Sequence, residues 1–188
     1  MAAAPATPAV AATPAAPAAP VVAAAPAAPA IPRPAPGTLM VRTIVAAGDA
    51  GYQDGPGETA RFASVEGAAL IGTNLYVSDG NGTAVIRRVN LLDGTVSTLV
   101  GKQREGSTVN GSFAESRINR PGPMVAVGNT LYVIQLGSEH GGSCIRSIDL
   151  GAQRTDTLTG NCDRKGNFDG DKATALFASP RALATDGK

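Results

Sequence analysis

Short blocks of this chain recur in a fixed order, about 56 to 59 residues apart. Residues 41–48 (Val-Arg-Thr-Ile-Val-Ala-Ala-Gly), 96–101 (Val-Ser-Thr-Leu-Val-Gly) and 154–160 (Arg-Thr-Asp-Thr-Leu-Thr-Gly) form one such block. Each leads into a Gly-rich loop and a second block. That block is Asp54-Gly55, Asn110-Gly111 or Asp169-Gly170, then Ala60-Arg61-Phe62, Ser116-Arg117-Ile118 or Ala175-Leu176-Phe177. Leu75-Tyr76-Val77 returns as Leu131-Tyr132-Val133, and the Ile86-Arg87 run as Ile145-Arg146. A unit this small and this rich in β-formers cannot bury its apolar face alone. It has to stack on its neighbours, which restricts the chain to a propeller or a solenoid.

The order of runs within a unit separates the two. Between the Gly-rich loops lie four short stretches rich in Val, Ile, Leu and Thr: 65–71, 75–78, 84–90 and 95–100, then 124–127, 131–135, 144–150 and 154–159. Their composition and length predict strands. Turn-like residues join them, among them Gly72-Thr73, Asp93-Gly94, Gly128-Asn129 and Gly151-Ala152. A helical solenoid needs two long helical stretches per unit, and none is present. Four meandering strands per unit predict an all-β chain of four-stranded antiparallel propeller blades, at about 65–100 and 121–159.

The blocks at 60–67, 74–79, 86–89 and 175–186 resemble NHL repeats: a Phe-x-x-Pro-x-Gly-like opening, a Leu-Tyr-Val-x-Asp strand and an Ile-Arg strand. The resemblance covers about residues 38–188. It implies a partial NHL-type β-propeller, since such propellers usually close with about six blades. The Gln135 strand departs from the pattern, lacking the acid found at Asp79. Residues 39–45 read as an orphan outermost strand, of the kind that clasps a closed ring, and 180–188 as the start of a next blade. The expectation is a fragment of a longer propeller, with self-assembly of several copies into a ring as the alternative.

Residues 1–37 are nearly all Ala, Pro, Val and Thr, with Arg33 the only charge. Alternating Ala and Pro favours polyproline II and cannot build a core, so this segment reads as a disordered linker, reaching about 110 Å when extended. Proline interrupts the apolar stretch too often for a transmembrane segment. No basic residue lies near Met1, so the start does not read as a signal peptide. A net charge of +1 with well-mixed signs gives no footprint for nucleic acid.

The predicted loops are lopsided. Loops 46–64, 101–120, 160–179, 79–83 and 136–143 emerge on one face, and the opposite face carries only tight turns. Long loops carry function more often than turns do. A protein or small ligand is therefore expected on the long-loop face, with Asp79, Asn81, Glu139, His140, Asp163 and Asp169 as candidate contacts. Phe62, Ile118 and Phe177 are expected to plug the blade junctions. Antiparallel pairing places Cys144 nearly opposite residue 159, within disulfide reach of Cys162. Such a bridge implies an oxidising compartment, hence an exported, periplasmic or surface protein.

No catalytic constellation stands out. His140 is the only histidine, so a zinc site lacks ligands. The Asp/Asn-rich segment 163–171 has the content of a calcium loop without the EF-hand spacing. No cofactor is expected, with calcium the alternative. Arg87 and Arg146 are expected to pair with backbone or acids. The function these features favour is a non-catalytic binding or scaffolding propeller. The alternative is part of a metal-dependent lyase- or lactonase-type propeller enzyme with its catalytic residues on other blades.

Overall fold

The computed structural model describes residues 43–45, 48–80, 82–137 and 141–187. The linker expected at 1–37 and most of the orphan strand at 39–45 lie outside them. Thr43, Ile44 and Val45 are described and join no strand. Among the described residues there is no helix. In the described residues nine strands form two antiparallel sheets, the first four-stranded in the order β1-β2-β3-β4 and the second five-stranded in the order β5-β9-β8-β7-β6.

The first sheet contains β1 (Val65–Ile71), β2 (Asn74–Asp79), β3 (Val85–Asn90) and β4 (Val96–Gly101). The second contains β6 (Pro121–Val127), β7 (Thr130–Gln135), β8 (Cys144–Asp149) and β9 (Arg154–Gly160). These are the eight expected runs, with one sizeable shift: β6 begins at Pro121 rather than 124. Proline is tolerated there because the first residue of a strand need not donate to the ladder. The fifth strand, β5 (Gly111–Ser112), was not expected; it pairs with Thr155 and Arg154 at the outer edge of β9. Its counterpart in the first repeat is a single bridge from Gly55 to Val96. Residues 180–187, read as the start of a further blade, belong to no sheet among the described residues.

Local chemistry explains the connections. Gly72 and Gly128, at φ of 58° and 55°, start the two-residue hairpin turns β1–β2 and β6–β7, where positive φ matches the strand twist. On the same face, Asp93 accepts the Thr95 N–H at 2.8 Å and Asp149 accepts the Gly151 N–H at 2.8 Å. These are side-chain turns of the kind aspartate favours.

The sheets face each other across one apolar layer. Tyr76, Ile86 and Val100 from the first meet Met124, Leu131, Val133 and Ile148 from the second, with Ile118 of the connecting loop between them. Fully burying one such aliphatic side chain contributes about 1.5–3 kcal/mol. At the inner edge β1 meets β6 backbone to backbone. A Cβ on Gly67 would lie 2.9 Å from both the Gly122 oxygen and the Pro123 Cα, so only glycine permits this approach. Ser78 Oγ donates to the Gly122 carbonyl at 2.8 Å across the seam. The opposite face of the first sheet (Val77, Val89, Val96) is covered by Ala60, Phe62 and Val45 of the preceding loop.

Both sheets carry the same irregularity. Along β3–β4 the register slips between Ile86 and Arg87, and along β8–β9 between Ile145 and Arg146. This bulge corrects the expected cysteine register: Cys144 pairs with Gly160, not residue 159. The extra residue on β9 advances the pairing by one.

Candidate functional site

The long loops are fastened by two buried arginines at equivalent positions. Arg87 on β3 and Arg146 on β8 are both 0% exposed. The loop before each sheet folds on itself through a bridge, Gln53 to Arg61 in the first repeat and Val109 to Arg117 in the second. Arg87 donates to the carbonyls of Gln53 at 2.8 Å and Arg61 at 3.0 Å. Arg146 donates to the carbonyls of Val109 at 3.2 Å and Arg117 at 3.3 Å. One fork-shaped cation thus ties both strands of each loop to its sheet.

The chemistry around the two cations differs. Arg87 pairs with Asp54 at 2.6 Å and Asp79 at 3.4 Å. It also lies 4.8 Å from the centroids of both the Tyr52 and Phe62 rings, within cation–π range. Asn110 and Gln135 stand where Asp54 and Asp79 stand, and Arg146 donates to their amide oxygens at 2.9 and 2.8 Å. Burial pushes the Arg146 guanidinium down to about 10, with the charge of Asp156 opposing. It remains a cation at neutral pH, stabilised by dipoles.

Asp79, expected at the binding face, is instead fully buried. Its carboxylate accepts from the Ala63 and Ser64 N–H groups and from Arg87. From this buried position it organises the loop root. Asp163 and Asp169 are exposed. Asn81, Glu139 and His140 lie outside the described residues. Asp171 accepts from the Thr174 hydroxyl and from the Ala173 and Thr174 N–H groups, and these bonds hold its carboxyl below the usual aspartate range. Among the described residues no group of three or more His, Cys, Asp or Glu could hold a metal. Ile118 is a fully buried plug between the sheets, while Phe62 and Phe177 are half-buried.

Cys144 and Cys162 form a disulfide with a Cα–Cα distance of 4.9 Å. It ties the start of β8 to the chain just beyond β9.

The second repeat also has an insertion. The β2–β3 loop spans 80–84 and the β7–β8 loop 136–143, so three added residues lie here. They account for the slip in repeat length from 56 to 59. Beside this longer loop opens a cleft of about 220 Å³. Its lining includes Arg120, Lys165 and Arg181, the hydroxyl residues Ser143 and Ser179, and Leu136, with no carboxylate among the described lining residues. Arg120 stands where the first repeat has Ser64, and its Nη1 donates to the Gly137 carbonyl at 2.9 Å. Its φ of 40° is unusual for a residue with a side chain. A second cleft of about 400 Å³ shares Gly141 with the first and is lined by Ser107, Thr108, Asn119, Cys162 and Asp163. Of the described candidates read from sequence, Asp163 and Cys162 reach the second cleft. The three cations were missed because they lie in three separate segments. The slip in repeat length was the available signal, since it marks where one repeat departs from the other.

No protein-family model matches the chain, and no curated protein matches it. Solved structures do. One is a structural-genomics protein of unknown function from Bacteroides thetaiotaomicron, 23% identical, with a TM-score of 0.54 over 61% of this chain and 28% of that one. Another is an auxiliary nutrient binding protein from the same organism, 21% identical, with a TM-score of 0.52 over 61% of this chain and 31% of that one. A third is an auxiliary nutrient binding protein from Bacteroides ovatus, 22% identical, with a TM-score of 0.50 over 61% of this chain and 30% of that one. The chain thus spans less than a third of the length of each. At these identities the likeness is one of fold.

Proposed function

We propose that this chain is a non-catalytic binding segment of an NHL-type β-propeller, acting in an oxidising compartment, that takes a small anionic ligand in the cleft beside the β7–β8 loop. The observation that carries the reading is the convergence of Arg120, Lys165 and Arg181, with the hydroxyl residues Ser143 and Ser179, on one cleft. Three cations around one cleft attract an anion to it. Guanidinium, ammonium and serine hydroxyl groups together supply donors suited to a carboxylate or phosphate. The cleft's size favours a small acid, since pockets for larger organic ligands run to about 300–1,000 Å³.

Further observations support parts of this reading. The two stacked four-strand meanders fit neighbouring propeller blades. The disulfide fits an exported protein, and no described helix is long and apolar enough to cross a membrane. Two of the similar structures are named as nutrient binding proteins.

Titration calorimetry with inorganic phosphate and with simple mono- and dicarboxylates tests the proposal. Binding should weaken as salt rises, and each of Arg120→Gln, Lys165→Gln and Arg181→Gln should weaken it by about 10-fold or more, the cost of a charge-assisted hydrogen bond. Anion binding unaffected by the triple substitution, or no anion binding at low salt, would refute it.

A further inference from the structure

The two arginine fasteners have a counterpart with no arginine. After β9, Phe168 bridges Leu176 as Gln53 bridges Arg61 and Val109 bridges Arg117. Both bridge hydrogen bonds are present, the Leu176 N–H donating to the Phe168 carbonyl at 2.9 Å and the Phe168 N–H to the Leu176 carbonyl at 3.2 Å. The same tight turn closes each loop: the Ala60, Ser116 and Ala175 N–H groups donate to the carbonyls of Pro56, Ser112 and Asp171. Asp169 stands where Asp54 and Asn110 stand, Gly170 where Gly55 and Gly111 stand, and Phe177 where Phe62 stacks on Arg87. The acceptor geometry is therefore already built. Phe168 is 62% exposed, and no arginine among the described residues donates to either bridge carbonyl or to Asp169.

We infer that the 160–179 loop is a receptor for a third arginine, carried on the third strand of a further four-stranded antiparallel sheet of this repeat type. That strand would place its guanidinium on the Phe168 and Leu176 carbonyls and the Asp169 carboxylate, with Phe177 against its face. In each existing repeat the loop packs on the sheet that follows it, so the partner sheet covers the outer face of the second sheet. The occupant is a separate unit and not the sheets of a second copy of this chain. Arg87 and Arg146 already donate to their own loops and would have to abandon buried acceptors to serve another.

The test copies residues 65–101 in frame after Ser179 of the otherwise intact chain, in place of 180–188, so that the copied β1 starts where β1 and β6 start. Asp169→Ala should leave the melting midpoint of the original chain unchanged to within about 1 °C and lower that of the extended chain by about 3 °C or more. Arg87→Met made in the copy alone should lower the extended chain's midpoint further, and Asp169→Ala should then have no added effect. Hydrogen exchange at the Phe168 and Leu176 amides should slow in the extended chain. A second extension carrying residues 121–160 gives an independent attempt at a folded third sheet. The inference is overturned if neither extension protects those amides, or if Asp169→Ala acts equally in both contexts. It is also overturned if the original chain forms a dimer that Asp169→Arg dissolves, which would make a second copy the occupant.

Discussion

Replacing Arg146 by methionine tests the load carried by the second fastener. Methionine keeps most of the side-chain volume and removes the cation. The guanidinium makes two short bonds, to Gln135 Oε1 at 2.8 Å and Asn110 Oδ1 at 2.9 Å. Each is worth about 2 kcal/mol as a hydrogen bond to a charged group. Its three longer bonds reach the carbonyls of Val109 at 3.2 Å and of Arg117 and Asp156 at 3.3 Å. Those of Val109 and Arg117 keep each other's N–H donors after the change, so the long bonds add about 1 kcal/mol together. Removing a buried cation relieves a desolvation penalty, which returns about 2 kcal/mol. The balance is a loss of about 3 kcal/mol, or about 9 °C in melting midpoint for a domain of this size. Circular dichroism melts near neutral pH measure it, and hydrogen exchange should rise first at the Val109 and Arg117 amides. Arg146→Lys should recover less than half of the loss, since a point ammonium cannot span both loop strands. Arg154→Met is the control: its ion pair with Asp156 is 55% and 41% exposed at the two side chains, so solvent screens it and the midpoint should hardly move. If Arg146→Met melts within about 2 °C of the parent, the loop is held by something other than the guanidinium and the reasoning fails.

Reducing the Cys144–Cys162 bridge, or Cys144→Ser with Cys162→Ser, should cost about 3 kcal/mol for a closed loop of this length, read as a lower midpoint under reducing conditions. Gly160→Ala should destabilise by about 2 kcal/mol or more, because its φ is 83° and a Cβ would meet the Phe177 ring at 2.7 Å and the Ser143 carbonyl at 2.9 Å. Equilibrium denaturation measures that loss. Asp171 should titrate below an ordinary aspartate. Its folded-state value is depressed by the Thr174 hydroxyl and the Ala173 and Thr174 N–H groups, so the turn's contribution is present above about pH 4 and is lost as pH falls through the lower folded value. Carboxyl NMR shifts follow it directly, and an unshifted titration would contradict the turn geometry.

The eight long strands, their meander order and the sheet class could be read from the residues, while the two-residue β5 could not. Period-2 runs of β-branched residues between Gly- and Asp-bearing turns leave a chain few alternatives, and each run appears where the pattern places it apart from the early start of β6. The cysteine pairing was legible for the same reason, although the bulge beside Arg146 moved its register by one residue. The bulge lies beside an arginine whose hydrogen bonds reach a carbonyl pair 29 and 37 residues away. No local pattern carries such a distance.

The sequence by itself determined the repeat, the four-strand meander and the lopsided loops, because turns and alternating burial are local matters. Tertiary structure alone decided what the polar residues do. Asp79 looks like an exposed strand-end acid until two loop amides and Arg87 close over it. Arg120, Lys165 and Arg181 look unremarkable until three distant segments bring them to one cleft. Charge acts through space over a few ångströms, and separation along the chain carries almost no record of it.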